Sequence, residues 1–116
     1  MVGVCVIALV AAYSLLEKPK KFITCTATAY AIEGVTASGE DARKGIIAVH
    51  PSIIPLGSKV RITGAGKYSG VYQALDTGKN IIGRRIDIYM ESREEAKKFG
   101  RRKVEVAILS FGHGER

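Results

Sequence analysis

The sequence predicts a mainly β fold: a small six-stranded barrel with one or two short helices, preceded by an apolar N-terminal helix. Three observations predict it. Six short segments alternate apolar and polar residues or run apolar, with glycine or proline between them. The chain has 116 residues, enough for one domain, and no internal repeat. Its 13 glycines and lack of tryptophan are typical of many tight turns. Because closure removes exposed sheet edges, six short strands favour a barrel.

The predicted strands follow one another along the middle and end of the chain. Each is rich in β-branched or aliphatic residues, and each is followed by a turn signal. They are FITCTATAY at 22–30, GIIAVH at 45–50, KVRITG at 59–64, GVYQALD at 70–76, RRIDIYM at 84–90 and KVEVAIL at 103–109.

One helix is predicted at 92–99. Ser92 is a candidate N-cap, and Glu95 follows it by three residues, which is the spacing of a capping box. Gly100 comes directly after the run REEAKKF and is a typical C-terminal stop.

The N-terminal run MVGVCVIALVAAYSLL contains no charged side chain. As a helix it would be roughly 24 Å long, somewhat short of the roughly 30 Å hydrocarbon core of a bilayer. We interpret residues 1–16 as a membrane anchor or signal segment, 17–23 as a basic linker, 24–110 as the barrel and 111–116 as a tail. The lysines follow the apolar run instead of preceding it, which by the positive-inside rule would leave the barrel in the cytoplasm. The segment thus predicts membrane association and leaves the orientation open.

The net charge of +7 favours an anionic partner, such as nucleic acid, anionic lipid or an acidic wall polymer. Nucleic acid is not expected, because no recognition helix or base-stacking aromatic pattern accompanies the scattered basic residues.

Cys5 in the apolar run and Cys25 in a predicted strand do not form a disulfide framework, and Cys25 is interpreted as a core residue. No Cys/His spacing matches a zinc site, so neither a metal nor a cofactor is expected.

The segment DTGKNIIGRRID, at 76–87, begins and ends with an aspartate. Asp76 ends a predicted strand, and Asp87 lies in the next one, pointing away from Ile86 and Ile88. If the isoleucines fill the barrel, Asp87 lies on the outer face. Bringing the two carboxylates to one site would raise one pKa, as a general acid requires. From spacing alone, a simpler interpretation remains. Asp76 would be an ordinary turn residue, and Asp87 would pair with a neighbouring arginine.

Four segments in this order resemble the three-aspartate (3D) domain, a double-psi β-barrel family of bacterial cell-wall lytic enzymes. The similarity is to its stationary-phase survival type and, more distantly, to the catalytic barrel of membrane-bound lytic murein transglycosylase A. It extends over about residues 24–109, and its most specific part is D-T-G-x-x-I-x-G-x-R-I-D. The four segments are TATAY at 26–30, IAVHPSIIPLGSKVRI at 47–62, ALDTGKNIIGRRIDIY at 74–89 and EEAKKFGRRKVEVAIL at 94–109.

This resemblance implies a lytic transglycosylase in the cell envelope, either membrane-anchored or secreted, with peptidoglycan glycan strands as its partner. Such an enzyme cleaves the β-1,4 bond between N-acetylmuramic acid and N-acetylglucosamine without water and leaves a 1,6-anhydro sugar. Carried over by position, Asp87 would be the acid/base and Asp76 its partner for pKa and positioning. The substrate groove would be lined by Tyr30, Thr36, Lys44, His50, Thr77 and Gly78.

The first aspartate of the family pattern is replaced here, because the usual A-V-D-P reads A-V-H-P with His50 in its place. A neutral imidazole could still orient the site, whereas a protonated one would lower the pKa of Asp87, the wrong direction for a general acid. The alternative is therefore a catalytically weak wall-binding module. The Asp-Thr-Gly motif also resembles that of retroviral-type homodimeric aspartic proteases, which we rank third because their glycine-arginine segment lies far downstream. A nucleic-acid-binding barrel ranks below it.

Overall fold

The computed structural model describes residues 18–32, 34–78, 81 and 83–112. The predicted helix at 1–16 lies outside these residues. The described chain contains six strands, one α-helix and a 3-10 turn. They are β1 (Lys21–Tyr30), β2 (Ile46–Val49), β3 (Lys59–Thr63), the 3-10 turn Gly66–Tyr68, β4 (Gly70–Thr77), β5 (Arg85–Tyr89), α1 (Arg93–Phe99) and β6 (Arg102–Ser110). β1 begins inside the segment interpreted as a basic linker.

The strands form a closed barrel in the order β1-β5-β2-β4-β3-β6. Two of the pairs are parallel, β1 with β5 and β2 with β4. The other four pairs are antiparallel. The closed six-stranded barrel predicted from the sequence is thus confirmed. The strands that carry the two aspartates, β4 and β5, are not neighbours, because β2 lies between them.

The barrel interior is filled by the apolar side chains of the alternating strands. Ile86 and Ile88 are almost fully buried, as the alternation around Asp87 predicts. Burial of one aliphatic side chain of this size is worth about 1.5–3 kcal/mol, so the interior is the main source of stability. Cys25 is a buried free thiol, which confirms its interpretation as a core residue, and burial raises its pKa to about 11.

Helix α1 begins and ends at the predicted residues. The Ser92 side chain accepts a hydrogen bond from the backbone N–H of Glu95 at 3.0 Å, and Gly100 ends the helix with a φ of 68°. The second half of the capping box does not form, because the Glu95 carboxylate accepts the Tyr68 hydroxyl at 2.7 Å instead. Phe99 is buried and anchors the helix to the barrel.

No helix in the described residues has the length and apolar character needed to span a bilayer. The predicted membrane segment at 1–16 belongs to the part of the chain that is not described.

Candidate active site

The two aspartates lie on either side of Ala48. This residue of β2 pairs with Asp87 of β5 on one side and with Asp76 of β4 on the other. Directly paired residues project to the same face of a sheet, here the face turned away from the barrel interior. Neighbouring strands are about 4.8 Å apart, so the backbones carrying the two aspartates are roughly 10 Å apart. Ala48 and Asp76 are both buried.

Asp76 is buried and fixes a loop to the barrel. Its Oδ1 accepts the backbone N–H groups of Ala37 at 3.0 Å and of Thr77 at 2.9 Å. Its Oδ2 accepts the hydroxyl of Tyr30 at 3.1 Å. Hydrogen bonds to a carboxylate are stronger than those between neutral groups. Asp76 therefore holds the loop between β1 and β2 against the end of β4.

Asp87 is half-buried, and its carboxyl is held by a neighbouring strand. The Thr28 hydroxyl, on the neighbouring β1 strand, donates to its Oδ1 at 3.0 Å. Burial raises the pKa of Asp87 and the charge of Asp76 adds to that rise, while the Thr28 hydrogen bond and the positive charge of Arg85 oppose it. The raised pKa of Asp87 agrees with the expectation from the sequence. The expected cause was the neighbouring carboxylate of Asp76, whereas the main cause in the structure is burial.

Tyr30 and Tyr89 form an aromatic wall beside the aspartates. Their rings meet edge to face with centroids 5.7 Å apart. Burial and the nearby Asp76 raise the pKa of the Tyr30 phenol, so this hydroxyl remains a hydrogen-bond donor. Tyr89 was not among the residues predicted from the sequence. The signal was nevertheless present, since the alternation R-I-D-I-Y puts Tyr89 on the same face as Asp87.

Three further predicted site residues lie in segments next to Asp76: Thr36, Thr77 and Gly78. Thr36 is buried, and its hydroxyl donates to the carbonyl of Glu40 at 2.8 Å, which closes the turn that carries Ala37. Thr77 binds Asp76 through its backbone N–H, and Gly78 follows directly. Thr36 and Thr77 therefore stabilise the backbone around Asp76. The groove-lining role expected for them remains a prediction.

Lys44 lies at the outer edge of the site. Its ammonium forms an exposed ion pair with Glu91 at 3.0 Å. Lys44 and Tyr89 also line one cavity, next to the aromatic wall.

His50 faces its own turn. Its Nδ1 accepts the backbone N–H of Ser52 at 3.2 Å and lies 2.6 Å from the Ser52 hydroxyl. The backbone contact uses the Nδ1 lone pair. An aspartate at this position could accept the same N–H, as in an Asx turn. His50 therefore keeps the turn that the family aspartate would form, without adding a carboxylate.

Within the described residues there is no group of three or more His, Cys, Asp or Glu side chains that could hold a metal ion.

A family model described as "3D domain" matches residues 45–110. Among curated proteins, the chain is 41% identical over 103 residues to "Cell wall-binding protein YocH" of Bacillus subtilis (strain 168), covering 81% of this chain and 34% of that protein. It is 35% identical over 103 residues to "Putative cell wall shaping protein YabE" of the same organism, covering 81% of this chain and 24% of that protein. The chain thus spans about a third or less of these relatives.

Solved structures share the barrel. The lytic transglycosylase LtgG of Burkholderia pseudomallei superposes with a TM-score of 0.53 at 30% identity, covering 70% of this chain and 27% of that one. MltA from E. coli superposes with a TM-score of 0.57 at 22% identity, covering 70% of this chain and 28% of that one. At the latter identity the likeness establishes the fold.

Proposed function

The chain belongs to the 3D domain family, and from this premise we propose that it is a peptidoglycan lytic transglycosylase with Asp87 as its single acid and base. The observation that carries the proposal is the half-buried Asp87 carboxyl with its raised pKa, held through one oxygen by Thr28. Such a group retains its proton at pH values where an ordinary aspartate is ionised, and can serve as a general acid. The names of the relatives, cell wall-binding protein and lytic transglycosylase, support the substrate class.

Two proton transfers by one residue complete the proposed reaction. Asp87 first donates its proton to the glycosidic oxygen while the bond from that oxygen to C1 of the muramic acid breaks. The ionised Asp87 then takes the proton of the 6-hydroxyl of the same sugar, and that oxygen bonds to C1. The product is a 1,6-anhydro-muramic acid, and no water is consumed. An inverting glycosidase, in contrast, needs two carboxylates with a water between one of them and the sugar.

The remaining site residues receive supporting roles in this proposal. Asp76 holds the loop of Thr36 in place and contributes to the raised pKa of Asp87. Tyr30 and Lys44 border the outer face where the glycan strand would lie. The parallel pairs β1–β5 and β2–β4 support the double-psi arrangement that the family resemblance implies.

The proposed place of action is outside the cytoplasmic membrane, where peptidoglycan lies. The names of the wall-binding and lytic relatives support this location. Residues 1–16 would then act as an anchor or signal segment that brings the barrel to the wall.

The direct test is digestion of purified peptidoglycan followed by mass analysis of the soluble products. We expect muropeptides that end in 1,6-anhydro-muramic acid. Products with reducing ends would instead identify a hydrolase, and intact peptidoglycan after prolonged incubation would exclude cleavage.

A second candidate function is wall binding without cleavage. It is favoured by His50, which replaces the family aspartate, and by the wall-binding name of the relative that is 41% identical. A protein of this kind would co-sediment with peptidoglycan and release nothing. The variant His50→Asp discriminates between cleavage and binding without cleavage. Its carboxylate can keep the hydrogen bond from Ser52, and it restores the family pattern. We expect this variant to cleave faster than wild type near neutral pH, and an unchanged rate would show that His50 does not limit activity.

The aspartic protease interpretation is not proposed. In such an enzyme the aspartates of two Asp-Thr-Gly motifs face each other across a dimer and share a proton. Here Asp76 is buried, and its carboxylate accepts three hydrogen bonds from its own chain.

A further inference from the structure

A cavity of about 360 Å³ lies beside the aromatic wall, and the proposed proton transfers do not use it. Three tyrosines and three charged side chains are among the residues that line it. The residues that matter to its chemistry are Lys44, Lys67, Tyr68, Tyr72, Tyr89 and Glu95.

The cavity walls are held in place by contacts within the protein. The Tyr72 hydroxyl donates to the backbone carbonyl of Tyr68, and the Tyr68 hydroxyl donates to the Glu95 carboxylate at 2.7 Å. The Tyr68 ring also packs edge to face on buried Phe99, with centroids 5.5 Å apart. A ligand would therefore enter a preformed aromatic site and would not need to order it.

The two lysines that line the cavity are available to an anion. Lys67 lies over the Tyr68 ring at 5.3 Å, and within the described chain it forms no ion pair with a carboxylate. Lys44 pairs with Glu91, but 75% and 64% of the two side chains are exposed. An exposed ion pair contributes little free energy, so Lys44 can exchange Glu91 for a ligand carboxylate at small cost.

The cavity is within reach of the proposed scissile bond. Tyr89 lines it and lies two residues after Asp87 on the same face of β5. A strand rises about 3.3 Å per residue, so the two side chains are roughly 7 Å apart along the strand. A substituent of the sugar bound at Asp87 can therefore enter the cavity.

We propose that this cavity binds the carboxylate-bearing stem peptide of muramic acid, with Lys44 and Lys67 as its anion-binding groups. The inference rests on the proposed function, because it takes the substrate to be peptidoglycan. A neutral sugar ring would leave the Lys67 ammonium without a carboxylate partner. The stem peptide is attached to the same sugar whose bond is broken, and it supplies carboxylates at that point.

The test compares binding of the full chain to two polymers: purified peptidoglycan, and the same glycan after an amidase has removed its stem peptides. The second polymer keeps one lactyl carboxylate on each muramic acid and lacks the carboxylates of the peptide, which reach farther from the sugar. We expect wild type to bind the peptide-bearing polymer about tenfold more tightly, which corresponds to about 1.4 kcal/mol. The double variant Lys44→Gln/Lys67→Gln should bind both polymers equally. Added salt should weaken the wild-type preference, because exposed charges are screened.

The matched control is Lys20→Gln/Lys103→Gln, which removes the same charge from exposed positions outside this cavity. It should keep the wild-type preference. Equal binding of both polymers by wild type would overturn the inference and leave the proposed function standing. An equal loss in the control variant would also overturn it, since general charge would then be the cause. Failure of wild type to bind either polymer would remove the proposed function and the inference together.

Discussion

At the scale of single residues, Asp87 is held between influences of opposite sign. Burial and Asp76, across β2, raise the pKa of its carboxyl, whereas Thr28 on β1 and Arg85 on its own strand lower it. The Tyr30 phenol also lies within electrostatic range of Asp87. A residue that must give a proton in one step and take one in the next is served by a pKa raised from the ordinary aspartate value toward the working pH.

The first prediction is that Asp87→Asn abolishes glycan cleavage and makes the folded protein more stable at neutral pH. An amide cannot transfer the proton. Because the pKa of Asp87 is higher in the folded state than in the unfolded state, its stabilising contribution is complete below the unfolded pKa of about 3.9 and is lost as the pH rises through the folded pKa. Removing the carboxyl should therefore raise the melting temperature at neutral pH by a few degrees, and less in acid.

Anhydro-muropeptide release and thermal unfolding at both pH values test this prediction. Asp41→Asn is the matched control, because Asp41 is an exposed carboxyl and is not among the groups that shift the pKa of Asp87. Wild-type release by folded Asp87→Asn protein would eliminate Asp87 as the acid and base. An equal stabilisation in Asp41→Asn would assign the effect to net charge.

The second prediction concerns Thr28, which we infer to be a positioning residue for Asp87. Thr28→Val removes the hydroxyl that donates to Oδ1, so the pKa of Asp87 should rise further. The descending limb of the pH–rate profile, where the general acid loses its proton, should move to higher pH. Thr28→Ser should restore the wild-type limb. Carboxyl ¹³C titration of Asp87 by NMR measures the same shift without relying on activity.

Thr26→Val is the matched control for Thr28. Thr26 lies two residues earlier on β1 and pairs with Arg85 instead of Asp87. An unchanged Asp87 titration in Thr28→Val, or an equal shift in Thr26→Val, would contradict the role of the hydrogen bond. Sequence reasoning missed Thr28, because the partner of Asp87 on a neighbouring strand lies 59 residues away and leaves no local pattern.

At the scale of elements, local sequence patterns predicted the strands and the helix. Each predicted strand boundary lies within one residue of the observed one, and α1 begins directly after its predicted cap. Alternation, turn residues and capping are all read from neighbouring positions, which explains this accuracy. The 3-10 helical form of Gly66–Tyr68 was not predicted, because the glycines there indicate a turn of any kind. Local patterns also do not indicate which strands are neighbours in the barrel, so the position of β2 between the two aspartate strands was not predicted.

The third prediction concerns the loop that Asp76 fixes. Asp76→Ala leaves the backbone N–H groups of Ala37 and Thr77 without their acceptor, which should cost about 1–3 kcal/mol of unfolding free energy. Asp76→Asn keeps one acceptor oxygen for them and should cost less. The Asn variant should also lower the rate less than Asp87→Asn and move the descending pH limb slightly downward, because the charge of Asp76 contributes to the raised pKa of Asp87.

Denaturant unfolding and amide exchange at Ala37 measure the effect of Asp76. Ser38→Ala on the same loop is a control that leaves the Asp76 hydrogen bonds in place. If Asp76→Ala unfolds at the wild-type denaturant concentration and its Ala37 amide stays protected, the loop is held by other contacts, and the carboxylate is free for a different role.

At the scale of the whole molecule, the candidate site is assembled from strands that are far apart in the sequence. Thr28 and Tyr30 come from β1, Asp87 from β5 and Asp76 from β4, and β1, β5, β2 and β4 are consecutive in the barrel. β6 pairs with β1 and with β3 and closes the barrel. Residues from the beginning and end of the described chain thus complete one structure. Alternation predicted that Asp87 points away from the buried Ile86 and Ile88, as observed, while the contacts of the two aspartates required the three-dimensional register.

The last prediction concerns the boundary between the barrel and the segment before it. The first described backbone contact of β1 is the N–H of Lys20 with the carbonyl of Ile108, and the first buried apolar side chain is Ile23. A chain that begins at Lys18 therefore retains every described core residue, and we expect it to be folded, with a melting temperature close to that of the full chain. A chain that begins at Cys25 loses Ile23 and much of the β1–β6 pairing and should unfold. Thermal unfolding of the two shortened chains distinguishes the possibilities: if both unfold alike, residues 1–17 contribute to the core and are not a separate anchor.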